Sequence, residues 1–126
     1  MHIAYYAPVW PPEGAANGIV TYVAAMRRQL LSDGHEVSVV SQGRLFTSDG
    51  AVHDLRTNAR PSLWDRLRLP QRLRRQRGDH PAAARRLAGE LRAAHDRAAF
   101  DLLEMEESFG WSRVAQQALD VPVGTR

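Results

Sequence analysis

The N-terminal part of the chain alternates between apolar runs and turn-forming residues in the order strand, helix, strand. Residues 2–6 are apolar and aromatic and stop before Pro8, as a buried first strand would. Residues 36–41 predict the second strand, so this part forms a βαβ unit. The helix between them is predicted to begin after an N-cap at Asn17 and to end at Gly34, and one apolar stripe runs along it: Ile19, Val23, Met26 and Leu30.

The C-terminal part continues this alternation. Residues 51–55 predict a third, edge-like strand, and residues 102–105 and 121–125 predict two more, with a helix over 111–119 between them. Pro81 follows an Asp-His cap at the start of another helix, whose apolar stripe is Leu87, Leu91, Ala94 and Ala98. This order predicts an α/β fold with a Rossmann-like, mostly parallel sheet and flanking helices.

Composition places the chain among globular proteins. With 126 residues, 44% of them apolar and 25% charged, it is long enough for one domain with a true core. The absence of cysteine excludes disulfides and thiol nucleophiles and agrees with a reducing compartment. No apolar run approaches the roughly 20 residues that cross a bilayer, and no signal-peptide pattern is present. The sequence therefore predicts a cytoplasmic protein.

The positive charge is concentrated in the middle of the chain. All 17 basic residues are arginine, and residues 44–97 carry a net +7 whereas the remainder carries −4. Residues 62–77 mix leucine and tryptophan with arginine, and Pro70 divides them into two predicted short helices. One interpretation is a solvated basic face, and the other is contact with an anionic membrane surface or with nucleic acid. The residues predicted to make that contact are Trp64, Arg66, Arg68, Arg72, Arg74 and Arg75.

The loop after the first strand is the main candidate for phosphate binding. Gly14, Asn17 and Gly18 lie where a parallel sheet binds ligands, next to a helix N-terminus that attracts anions. The glycines do not form G-x-G-x-x-G, and the second strand ends without an acid for a ribose, so a nicotinamide cofactor is not expected. The alternative is a loop that only turns the chain, with Gly18 packed tightly at the helix start.

A second candidate is the acidic stretch after the fourth predicted strand. Glu104, Glu106 and Glu107, together with Trp111, could accept hydrogen bonds from sugar hydroxyls and stack on a ring, or provide a base. The alternative is a solvated acidic turn before a helix. His80 and His95 are too far apart in sequence to suggest a metal pair, and no Ser elbow is present. The sequence predicts no metal, no cofactor and no catalytic residue.

Three stretches resemble one family in their order and spacing. The opening MHIAYYAP, the NGIVTY step and the run LLSDGHEVSVV are similar to the start of a retaining, family 4-like glycosyltransferase of the GT-B fold. The later FDLLE, EE, GW and VPV are similar to a branch of that family. The resemblance covers residues 1–40 and 100–126 and leaves the basic middle unmatched. Asn17 stands where the family usually has the first glycine of a pair, and asparagine tolerates a left-handed backbone.

This resemblance implies a hexosyl transfer from a nucleotide-sugar donor to a glycan or lipid-linked acceptor, as in cell-envelope polysaccharide synthesis. It places Gly14, Asn17 and Gly18 near the donor phosphates and the acceptor. Residues 1–126 would be a partial, acceptor-side N-terminal domain with a basic helical insertion at about 61–98. The donor-binding C-terminal domain would be absent, so the chain alone is expected to be inactive.

Two other functions are compatible with the same residues. The first is a non-enzymatic basic module that binds a membrane or another polyanion, and it is compatible with an enzyme held peripherally at the inner face of the membrane. The second is a small phosphate-binding protein complete as it stands. No nucleic-acid-binding motif is visible, so nucleic acid is not an expected partner.

Overall fold

The computed structural model describes residues 1–14, 17–56, 81–107 and 110–126. Within these ranges, strands and helices alternate as the sequence predicts, with one additional strand. The strands are β1 (His2–Tyr6), β2 (Glu36–Ser41), β3 (Arg44–Phe46), β4 (Val52–Asp54), β5 (Leu102–Met105) and β6 (Val123–Thr125). The helices are α1 (Gly18–Ser32), α2 (Pro81–Arg97) and α3 (Trp111–Ala118), and a single 3-10 turn spans Pro12–Gly14.

The strands of the described residues form one six-stranded sheet in the order β4-β3-β2-β1-β5-β6. The pairs β1–β2, β1–β5 and β5–β6 are parallel, whereas β2–β3 and β3–β4 are antiparallel. The prediction of a mostly parallel sheet is therefore wrong at one end. The fold is α/β, but its sheet is mixed.

A tight hairpin creates the antiparallel end of the sheet. Ser41 pairs with Arg44, which leaves Gln42 and Gly43 as the two loop residues. Both have positive φ, 51° and 73°, as a two-residue hairpin turn requires. The new strand β3 then pairs with β4, which lies at the sheet edge as residues 51–55 predict.

The ends of α1 are those that the sequence predicts. The Asn17 side-chain oxygen accepts a hydrogen bond from the backbone N–H of Val20 at 2.9 Å. After the helix, Gly34 has a φ of 83°, in the left-handed region that favours glycine. The His35 N–H then donates to the carbonyl of Leu30, which closes the helix end.

Alternate residues of the strands build two cores on opposite faces of the sheet. One core packs beneath α1 and consists of Ile3, Tyr5, Ala7, Val23, Val37 and Val39, with Ile19 and Met26 against it. The other packs beneath α2 and α3 and contains Ala4, Val40, Leu87, Leu91, Leu103, Met105 and Ala115. The apolar stripes predicted for both long helices thus face the sheet.

The chain builds the sheet first on one side of β1 and then on the other side. From β1 it crosses through α1 to β2 on one side, and α2 later leads to β5 on the other side. The carboxyl ends of β1 and β5 therefore flank a topological switch point, which is where open α/β sheets bind ligands. In the part of the chain described, no helix is long and apolar enough to cross a membrane.

Candidate functional site

The N-terminus of α1 opens onto the carboxyl edge of the sheet. Asn17 adopts an extended backbone, with φ −138° and ψ 158°, and acts as the N-cap. The predicted N-cap is therefore confirmed, and the left-handed conformation that asparagine tolerates is not used at this position, because a cap residue is extended. Since Asn17 accepts from Val20, the N–H groups of Gly18 and Ile19 are those the helix leaves for an external acceptor.

Gly18 has open space where a side chain would stand. No described atom comes within 4 Å of a Cβ built on this residue. The alternative of a tightly packed glycine at the helix start is therefore wrong, and the open space allows a ligand to approach the backbone closely. Gly14 ends the 3-10 turn of the same loop.

The first cavity at this edge, which we call the α1 crevice, joins the two predicted candidate regions. Asn17, Gly18 and Ile19 line it from the helix, Glu106 from the end of β5, and Arg126 from the end of β6. Its volume is about 440 Å³. The tertiary structure thus places one of the predicted carboxylates opposite the predicted phosphate loop.

Glu104 is engaged with two neighbouring side chains. The Tyr22 hydroxyl donates to Glu104 Oε1 at 3.0 Å, and Arg126 Nε lies 3.1 Å from the same oxygen. The Arg126 guanidinium also stacks on the Tyr22 ring, 3.7 Å from its centroid. These contacts fix Arg126 at the wall of the α1 crevice, so Glu104 orients another residue rather than facing a ligand itself.

The same carboxylate disfavours tyrosine ionisation around it. Burial and then the hydrogen bond to Glu104 raise the pKa of Tyr22. Burial and then the negative charge of Glu104 raise the pKa of Tyr5, its neighbour in strand register. Both phenols therefore stay neutral near pH 7, and the Tyr22 hydroxyl remains a hydrogen-bond donor.

The remaining predicted acceptor residues, Glu107 and Trp111, do not line the α1 crevice. Glu107 is exposed, and its backbone N–H donates to the carbonyl of Arg126 at 3.4 Å. Trp111 begins α3 and lines a cavity on the opposite face of the sheet. The predicted cluster is therefore divided between two cavities, because α3 packs on the face of the sheet opposite to α1.

We call this second cavity, with a volume of about 210 Å³, the α2 pocket. Its polar and aromatic lining is Tyr6, Gln42, Arg86, Glu90 and Trp111, and two apolar residues of α2 complete it. Glu90 is only 9% exposed, and Arg86 Nε donates to its Oε1 at 2.8 Å. Burial, and then the charge of Glu90, raise the pKa of Tyr6.

Glu90 was absent from the sequence-based candidates, although a signal for it exists. It stands three residues after Leu87 and four before Ala94, so it lies within the apolar stripe of α2. A carboxylate at an inward-facing helical position is costly to bury unless it is paired. Such a residue is a candidate for function when the helix borders a ligand edge.

Several sequence-based candidates fall outside the described residues. These are the predicted membrane-contact residues Trp64, Arg66, Arg68, Arg72, Arg74 and Arg75, together with most of the basic insertion and the predicted cap before α2. Among residues 1–14, 17–56, 81–107 and 110–126, no group of three acidic or histidine side chains is arranged to hold a metal ion.

Comparisons with known proteins add no relative. A scan against family models, a search of curated proteins and a search of solved structures each found no significant match to this chain.

Proposed function

We propose that this chain belongs to the acceptor-side domain of a GT-B, family 4-like glycosyltransferase that uses a nucleotide-sugar donor. The observation that carries the proposal is the α1 crevice. An open helix N-terminus, an oriented arginine and a carboxylate converge there at the switch point of the sheet. The order of sequence motifs in residues 1–40 and 100–126 supports the same function.

The crevice has the chemistry that a sugar phosphate requires. The N–H groups of Gly18 and Ile19 and the positive end of the α1 dipole favour a phosphate oxygen. The Arg126 guanidinium adds a fixed positive charge whose Nε is already held by Glu104. Glu106, on the opposite wall, can accept hydrogen bonds from sugar hydroxyls.

Catalysis in this proposal needs a second domain. The residues of the crevice bind and orient a donor, and the chain by itself is expected to transfer no sugar. The transfer would replace the bond from the anomeric carbon to the phosphate oxygen with a bond to an acceptor hydroxyl. The nucleoside diphosphate leaves with the electron pair of the broken bond, and the acceptor hydroxyl loses its proton.

Binding of nucleoside diphosphates by the purified chain provides the first test. We expect calorimetry to detect binding of UDP or GDP. Arg126→Gln should weaken that binding roughly 10- to 150-fold, the effect of losing about 1.5–3 kcal/mol from a charge-assisted hydrogen bond. Arg113→Gln, an exposed arginine on α3, is the matched control and should bind as the parent does. Equal affinity of all three proteins would contradict a phosphate site in the crevice.

Activity of the open reading frame that contains these residues provides the second test. The expressed product should release a nucleoside diphosphate from a nucleotide sugar in the presence of a membrane-lipid or glycan extract. NMR of the product should show that the donor's anomeric configuration is retained. No transfer from any donor of a uridine and guanosine panel would overturn the proposed function.

A further inference from the structure

We propose that the α2 pocket binds one neutral pyranose ring, and that this ring belongs to the acceptor; the second clause rests on the proposed function. The pocket lies at the same carboxyl edge as the α1 crevice, but on the opposite face of the sheet. Tyr6 reaches it from the end of β1, and Gln42 from the turn after β2. A ring bound there would approach a donor across the edge of the sheet.

Two aromatic side chains give the pocket apolar surface. Trp111 and Tyr6 are partly buried against the core beneath α2 and α3, and both line the cavity. Because packing holds their rings, they offer fixed flat surfaces on which the C–H face of a sugar can stack. A phosphate or a carboxylate would gain nothing from such a surface.

Glu90 supplies the matching polar group. Its side chain is only 11% exposed, and Arg86 Nε donates to its Oε1 at 2.8 Å. A carboxylate can accept about four hydrogen bonds, so this bond leaves acceptor capacity for ring hydroxyls. Arg86 and Glu90 carry opposite charges, so the described lining of the pocket has no net charge, which favours a neutral ligand.

Gln42 and Arg86 complete the polar rim. The Gln42 amide nitrogen donates to the carbonyl of Pro8 at 3.3 Å, which holds the side chain and leaves its oxygen as an acceptor. Arg86 is 67% exposed while it pairs with Glu90, so its terminal nitrogens can donate to a sugar oxygen. Donors and acceptors around an aromatic floor are the pattern of a polyhydroxylated ligand.

The volume limits the ligand to one ring. At about 210 Å³, the cavity is smaller than the roughly 300–1,000 Å³ of pockets that hold drug-sized molecules. A nucleotide or a disaccharide would extend beyond it. Because the lining is fixed by helix α2 and the sheet, we expect selectivity among hexoses that differ in a single hydroxyl configuration.

The experiment is an NMR titration of the isotope-labelled chain with methyl glucopyranoside, methyl mannopyranoside and methyl galactopyranoside. We expect the Trp111 indole N–H to shift with at least one of them at millimolar concentration, and to show nuclear Overhauser contacts with ring protons. Glu90→Gln should weaken that binding at least fivefold. Asp96→Asn, which changes an exposed carboxylate on the same helix, should leave it unchanged.

The outcomes separate this inference from the proposed function. No shift at Trp111 with any glycoside, while UDP or GDP still binds, overturns the sugar pocket and leaves the proposed function standing. Glycoside binding without nucleotide binding supports the pocket and contradicts the donor crevice. If Glu90→Gln does not fold, Trp111→Leu replaces it, with the affinity read from backbone amide shifts along α2, and unchanged affinity in that variant likewise overturns the pocket.

Discussion

The cap of α1 connects fold stability with ligand binding, and two substitutions of Asn17 separate them. In the protein, Asn17 Oδ1 accepts from the Val20 N–H at 2.9 Å. Asn17→Ala removes that acceptor and should cost about 1 kcal/mol. Asn17→Asp keeps an acceptor oxygen and adds a negative charge at the helix N-terminus, which should contribute about 0.3–1 kcal/mol of stability.

These free energies translate into measurable melting temperatures. An unfolding entropy of about 2.1 cal/mol/K per residue gives about 0.26 kcal/mol/K for a chain of this length. Asn17→Ala should therefore lower Tm by about 4 °C, and Asn17→Asp should leave Tm unchanged or raise it by a few degrees. Circular dichroism melts of the three proteins at low salt measure both effects.

Nucleotide binding should rank the same variants differently. A carboxylate at position 17 repels a phosphate at the α1 crevice by at least about 1 kcal/mol, the energy of two charges about 4 Å apart in water. Asn17→Asp should thus bind UDP at least about fivefold more weakly, although it is the more stable variant. A Tm for Asn17→Asp as low as that of Asn17→Ala would refute the capping argument, and equal UDP affinity would refute the phosphate placement.

Three further substitutions test one core, the hairpin and the hydrogen bond from Tyr22 to Glu104. Leu91→Ala, at a fully buried position of α2, should cost about 2–5 kcal/mol, and a urea midpoint close to that of the parent would show that α2 does not pack on the sheet. Gly43→Ala should cost roughly 1–2 kcal/mol for the left-handed backbone, with added strain because its Cβ would lie 3.2 Å from Arg56 Cγ. A Tm equal to that of the parent would contradict the positive φ of Gly43 in this turn. Tyr22→Phe tests the raised pKa of Tyr22. The parent keeps the stability contribution of the neutral Tyr22 hydroxyl below about pH 10 and loses it as the pH rises through the raised pKa, so the variant should lose less stability at alkaline pH. Urea midpoints that are identical for parent and variant across that range would argue against the hydrogen bond to Glu104.

Local signals explain the elements that were predicted correctly. The cap at Asn17, the glycine at position 34 and the stripe between them define α1 without reference to the rest of the chain. The apolar stripe of α2 is equally local. The prediction for residues 111–119 is confirmed to within one residue, whereas β6 begins at Val123 rather than at position 121.

The missed strand shows where local signals fail. Arg44–Phe46 is three residues long, too short for any periodicity, and it is a strand only because Ser41 and Val39 pair with it. Glutamine is an unusual residue for a positive φ, so the turn at Gln42-Gly43 carried only half of its usual sequence signal. The mixed sheet follows from this hairpin.

The candidate site, too, was predictable only in part from the sequence. The sequence by itself determined that the loop before α1 and the acids after β5 end at one edge of a sheet, because parallel strands place their carboxyl ends together. Only the tertiary structure decided which of these residues meet. The alternation of side chains across β5 directs Glu104 toward Tyr22 and Arg126, whereas α3 starts on the other face and carries Trp111 toward Glu90. Such contacts join residues far apart in the chain, and no local pattern encodes them.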